Sequence, residues 1–343
     1  MGAVQFLTLD RNAFAYGVSA PVAPLVRRVI AENPSKFTYH GTGTYIVGGN
    51  ATGQGDVVVI DPGPRLDAHR DALAVALVGC TVRAILITHC HADHSPLAAW
   101  LAAETGASTF AFGPHGEDTW DIGDDPPEVL AAEEHEAAER RAGADPTGAD
   151  AVSNEPVMEE STDRAFRPDV AVGTGDVVTS GDGWTMTALH TPGHTSNHTC
   201  FTLDDGTTRT IFTGDHVMGW STTVVSPPDG DMGAYLDSLR FVAGRRDDVA
   251  IPTHGPPIPD PSRFVSELID HRLQRERQVL DAVRAGLDTI PAIVEMLYAD
   301  VRRELFKPAR RSVLAHLVKL VDDGVVGVVG SPRPRLDAAF RVV

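Results

Sequence analysis

The stretch Thr88-His89-Cys90-His91-Ala92-Asp93-His94 gathers three imidazoles and a carboxylate directly after the apolar run 82–87. That run is rich in strand formers, so the donors fall where a buried strand gives way to a loop. His89 and His91 are two apart, and an extended backbone points both side chains the same way. Asp93 and His94 fall where the chain turns and can face a second ion. A single histidine often caps a helix or fills a core, but three with an aspartate at this density suit a metal site. Cys90 lies between two of the histidines, and alternation turns it to the opposite face, so it reads as packing.

One strand end cannot close two coordination shells, so further donors are required. His190-Thr191-Pro192-Gly193-His194-Thr195-Ser196-Asn197-His198 follows the strand-like run 184–189. Gly214-Asp215-His216 follows the run 208–212, and Thr253-His254-Gly255 follows 249–251. Each candidate stands just past an apolar run, where strand-built scaffolds place functional groups.

In this order, HxHxDH, HTPGHT, GD and a late HG resemble the metallo-β-lactamase superfamily of αββα hydrolases. Asp61, in Ile60-Asp61-Pro62-Gly63, matches the aspartate of that family's first motif. The resemblance spans roughly residues 42–257. The stretch 214–223 and the tail beyond Pro259 are similar to the β-lactamase-like protein 2 branch, which appends a winged-helix-like domain. The resemblance implies an α/β (α+β) chain: a four-layer αββα sandwich followed by a small helical winged-helix-like domain. It also implies two ions, one held by His89, His91 and His194, the other by Asp93, His94 and His254. Asp215 would bridge them, since a carboxylate has two oxygens and an imidazole binds through one nitrogen. Such donors suit two Zn²⁺, with Mn²⁺ or Fe as alternatives. Oxygen-reducing diiron relatives usually carry glutamate where His91 stands, which favours hydrolysis.

Two ions about 3.5–4 Å apart can share a bridging hydroxide and lower its pKa toward neutrality. Asp93 is expected to orient that hydroxide and relay the proton. Asp61 is expected to brace the metal loop by orienting a ligating histidine. His198 is assigned to support or substrate contact, and the loop containing Trp220, Ser221 and Thr222 to a substrate wall. Tyr235, on a helix over 232–243, is expected to reach the site. His190 and His216 read as structural. Asn197 replaces a glycine frequent in the family and is expected to reshape the rim.

The chain has 343 residues and a net charge of −18, unevenly spread. Between Glu117 and Asp163 stand 16 acidic and two basic residues; beyond Pro261 stand 14 basic and 11 acidic. The acidic insert, about 114–165, includes the helix-forming stretch 131–141 but few large apolar residues, so a mobile surface excursion is expected. Over the site it would repel polyanions. No large basic patch exists, which argues against a dedicated duplex-DNA binder. Three cysteines suit a reducing compartment, no signal-like start or long apolar run occurs, and a cytoplasmic protein without a membrane span is expected.

The positioning elements follow. Residues 2–36 read as a loose lead-in broken by Pro21, Pro24 and Pro34. The runs 45–47 and 57–60 flank a glycine-rich turn and form a hairpin. Helices are expected over 66–77 and 96–105. A proline cluster at 256–261 marks a boundary between a catalytic domain, 1–260, and a winged-helix-like domain, 261–343. The latter needs helices over 262–285, 290–305 and 308–322 and paired strands at 325–329 and 338–342. Nucleic-acid contact would use Arg310, Arg311, Lys319, Arg333 and Arg335; the small excess of basic residues favours a packing or homo-oligomerisation module. The function expected first is hydrolysis of a small ester, thioester or lactone-like molecule. A single-strand endoribonuclease acting on RNA comes second and a weak β-lactamase third. A non-enzymatic nucleic-acid-binding regulator stands last, against an intact ligand set.

Overall fold

The computed structural model describes residues 4–50, 53–117, 120–125, 127, 129, 161–299 and 305–343. The chain divides into two compact units: 1–117 with 157–223 and 233–271, and 118–156 with 224–232 and 272–343.

The first unit is built on two sheets. One has seven strands in chain order: β1 (Ala20–Ala23), β2 (Val26–Ile30), β3 (Gly43–Gly48), β4 (Gly55–Ile60), β5 (Cys80–Leu86), β6 (Thr109–Ala111) and β7 (Val170–Ala171). The other has five, ordered β12 (Val249–Pro252), β11 (Arg209–Gly214), β10 (Thr199–Asp204), β9 (Trp184–His190) and β8 (Val177–Gly181). The expected hairpin forms, with β3 antiparallel to β4. The lead-in is more ordered than its prolines suggest. Pro21 lies in β1, an edge strand, where a missing N–H costs no ladder bond, and Pro24 precedes Leu25, whose φ of 58° turns the chain into β2.

Alternation along the central strands splits their side chains between two cores. Tyr45, Val47, Val58, Ile60 and Leu86 face Met186, Ala188, Phe201, Phe212 and Ile251 of the other sheet. Ile46, Val57, Val59, Ile85 and Ile87 face outward onto Leu73 of helix α1 (Asp67–Ala76) and Ala98 and Leu101 of α2 (Ala98–Thr105). Helix α3 (Met232–Ala243) is tied to the loops after β9 and β11, with Ser238 Oγ donating to the Pro192 carbonyl and Tyr235 Oη to the His216 carbonyl. Where β4 meets β5 and β11 meets β12 the pairing is parallel, so their carboxyl ends open on one side, the usual place for a site in such sheets.

Helix α4 (Pro261–Arg284) runs from the first unit into the second. There α5 (Ile290–Leu297), α6 (Phe306–Asp322) and the antiparallel pair β13 (Val326–Val329) and β14 (Ala339–Val342) follow. The expected stripe Val313, Leu314, Leu317 and Leu320 is buried against Ile290, Ile293, Val294 and Phe340. The acidic insert is not a free excursion at its start. Ile122 joins this core, Trp120 Nε1 donates to the Pro334 carbonyl, and Asp125 pairs with buried Arg310 through two hydrogen bonds of 2.6 and 3.1 Å. The expected helix over 131–141 and most of the insert lie outside the described residues. Among the described residues, no helix is long and apolar enough to cross a membrane.

Candidate active site

The site assembles from strand ends of both sheets. Asp61 follows β4, the His89–His94 loop follows β5, His194 follows β9, Asp215 follows β11 and His254 follows β12. All seven candidate ligands are thereby brought together. His89 Nε2 lies 2.9 Å from His91 Nδ1, and His194 Nε2 lies 3.3 and 3.2 Å from those same atoms. Beside this triangle, His254 Nε2 stands 3.3 Å from Asp93 Oδ2 and 3.4 Å from Asp215 Oδ1, and His94 Nε2 stands 3.3 Å from Asp93 Oδ1. Asp215 turns one oxygen to each group: Oδ1 is 3.7 Å from His94 Nε2, and Oδ2 is 4.0 Å from His194 Nε2.

Three observations fit a metal to these residues. Three imidazole nitrogens converge on one point, an arrangement that mutual hydrogen bonding cannot satisfy. His94 Nε2 and Asp215 Oδ1 are buried and make no hydrogen bond. Burial, reinforced by neighbouring imidazoles, holds His89 and His91 neutral, the latter with a pKa of about 3, so their lone pairs are available. In the second group burial alone would raise the carboxyls and depress the imidazoles, but opposite charges reverse both effects. Asp93 and Asp215 lie below the ordinary carboxylate range, and His254 is held up at about 10. This cluster is electrostatically built to hold positive charge.

The supports behind the donors explain their aim. Asp61, in the left-handed region at φ 48°, is fully buried. It accepts from Thr88 N and Oγ1 (2.8 Å each) and Thr253 Oγ1 (3.2 Å), and lies 2.9 Å from His94 Nδ1. With its hydroxyl proton on Asp61, Thr88 accepts from His89 Nδ1 at 3.1 Å, which leaves His89 Nε2 as the lone-pair nitrogen. His254 Nδ1 donates to the Gly41 carbonyl. Thr42, absent from the sequence-based candidates, donates to Asp93 Oδ2 at 2.8 Å and accepts from Asn33 Nδ2 at 2.9 Å. His198 lies beneath the first group, its ring 5.2 Å from that of His89 and its Nδ1 2.9 Å from Thr191 Oγ1. Gly214 must lack a side chain there, because a Cβ would stand 2.7 Å from His198 Nε2.

Several expectations need correction. Tyr235 does not reach the site: it is 1% exposed, and its hydroxyl is spent on the His216 carbonyl. It serves packing, since a Cβ on Gly193 would strike its backbone. Asn197 does not shape the rim; it is buried, donating to Cys90 Sγ and the Gly113 carbonyl. Cys90 faces the outer core as expected, and burial pushes its thiol up to about 11. His190 stacks on Phe112, away from the donors. Trp220 stacks on Tyr39 at 4.8 Å and lies against Gly255, next to His254; Ser221 and Thr222 are half-buried beside it. The insert's exit is also ordered, with Thr162 bridging to His91 in antiparallel fashion.

A family profile described as the metallo-beta-lactamase superfamily matches residues 41–254, and one described as a beta-lactamase associated winged helix domain matches 289–333. An atrochrysone carboxyl ACP thioesterase from Aspergillus chevalieri is 30% identical over 313 residues, 88% of this chain and 82% of the relative. A protein of the same name from Passalora fulva is 29% identical over 322 residues, 89% of this chain and 78% of the relative. The crystal structure of a beta-lactamase domain protein from Burkholderia ambifaria matches with a TM-score of 0.67 at 21% identity, over 96% of this chain and 94% of that one.

Proposed function

The chain belongs to the metallo-beta-lactamase superfamily of metal-dependent hydrolases, and from that premise we propose that it is a dinuclear zinc thioesterase. The observation that carries the dinuclear reading is the position of Asp215, with one oxygen toward each histidine group. The thioester reading is supported by relatives named as ACP thioesterases that align along nearly the whole chain. The substrate would be an acyl group held as a thioester on a carrier protein or a small thiol.

His89, His91 and His194 would hold one ion and Asp93, His94 and His254 the other, with Asp215 shared. When bound, such a pair supplies Lewis acidity for the carbonyl and lowers the pKa of water. Asp93 is ionised and fixed by Thr42 and His254, so it accepts a hydrogen bond from the attacking water and aims its oxygen at the thioester carbon. The C–O bond forms, the C–S bond breaks, and Asp93 passes the water's proton to the departing thiolate. Trp220, Ser221 and Thr222 form the wall against which the acyl group lies, and His198 supports the histidines from below.

The second reading, an endoribonuclease, is favoured by the winged-helix match. Against it, the basic residues it would use are largely neutralised inside the second unit. Arg310 pairs with Asp125, Lys319 with Glu276 and Asp323, and Arg335 with Asp121 and Asp337. Charges so paired release few counterions from a polyanion. The deciding experiment gives zinc-loaded protein an acyl thioester, a lactone, nitrocefin and single-stranded RNA side by side, with Asp93→Ala as control. Thiol release lost in the control is the expected result. Turnover of RNA alone would overturn the thioesterase reading.

A further inference from the structure

We propose that Asp163 is a positioning residue for the metal loop, acting through a strap that fastens the loop's backbone from outside. The inference rests on the ligand assignment above but not on any choice of substrate. The strap, residues 161–166, runs antiparallel to the loop at the His91–Thr162 bridge. Ala92 N donates to the Ser161 carbonyl at 2.9 Å, and Asp163 N donates to the Cys90 carbonyl at 2.7 Å. The peptide groups flanking His91 are thereby tied on both sides.

The Asp163 side chain then joins the far end of the loop. Its Oδ2 accepts from Ser95 Oγ at 2.9 Å, and Ser95 directly follows His94. Its Oδ1 accepts from Ala165 N and Phe166 N, each at 3.2 Å, closing the strap into a turn. Phe166 is buried in the core that also holds Cys90, Leu97 and Ala98, so the turn is anchored beneath the same loop. One carboxylate therefore fixes the strap's own shape and grips the residue after His94, while the strap's backbone grips the residues around His91. A metal site demands that its donors keep their aim, and partners behind the ligands commonly change metal affinity 10- to 100-fold when lost.

The test is zinc affinity of the full-length protein, measured by competition with a chromophoric chelator and therefore independent of turnover. Asp163→Ala is expected to weaken zinc binding by about tenfold or more, with kcat falling and KM little changed. Asp163→Asn keeps an acceptor oxygen and is expected to recover most of the affinity. Ser95→Ala, which removes one hydroxyl and spares the turn, covers the case in which Asp163→Ala fails to fold; a smaller loss of affinity is expected from it. Wild-type affinity in Asp163→Ala overturns the proposal, as does wild-type affinity in Ser95→Ala should Asp163→Ala not fold. So would equal losses in the Ala and Asn variants. A wild-type protein that binds no zinc would instead overturn the ligand assignment itself.

Discussion

In the second unit the buried guanidinium of Arg310 lies against both oxygens of Asp125, whereas in the first unit ring nitrogens of His89, His91 and His194 point at one another. Both arrangements place polar groups out of water, where an unmatched group is costly. The Arg310–Asp125 pair is complete within the protein, and its role ends with holding residues 120–125 onto α6. The histidine nitrogens instead gather about one point with like groups, the arrangement that a bound ion would complete on the proposed reading. An opposite-charge pair reads as architecture here, and a convergence of like donors reads as a candidate site.

That contrast can be broken from either side. The largest effect is expected from Asp215→Ala, which should abolish thioester turnover and lower bound zinc below two per chain by elemental analysis; an unchanged count would remove the bridging role. Asp125→Ala should do the reverse. It strips buried Arg310 of the carboxylate that takes both bonds and should lower unfolding free energy by about 3–5 kcal/mol in denaturant titrations without changing the zinc count.

A third expectation concerns His69, whose ring is buried beside Thr44 Oγ1 and whose pKa burial lowers to about 4 from 6.5. The folded value is the depressed one, so the unfolded chain binds more protons between pH 6.5 and 4. Stability is full above that window and falls through it as pH drops, by about 3 kcal/mol in all. Comparing the wild type with His69→Gln at both ends of the window isolates this contribution; equal slopes would exclude it. The smallest effect should come from Cys90→Ala, with zinc content unchanged and a modest loss of packing.

The candidate ligands were legible because each belongs to a short pattern at the end of an apolar run, and local spacing reports local geometry. The helices of the second unit were legible for the same reason, through the stripe on α6. What escaped lies far away in sequence. Thr42 reaches Asp93 across 51 positions and Asp163 reaches Ser95 across 68, and no local period encodes either contact. β1 and β2 were hidden by prolines that an edge strand and its turn tolerate. Tyr235 was misjudged because an amphipathic helix reveals which face is apolar but not which of its polar tips already has a partner.

Asp93, His94 and their loop hang from the larger sheet, while His194, Asp215 and His254 hang from the smaller one. No subset from a single sheet contains both donor groups, so the centre exists only once the two halves have docked. On the proposed dinuclear reading, bound zinc would be a rivet through the seam, and its release would require the halves to part. Zinc dissociation should consequently follow the temperature dependence of unfolding rather than that of simple ligand exchange. A protein kept saturated with metal would resist heat chiefly by keeping that seam shut.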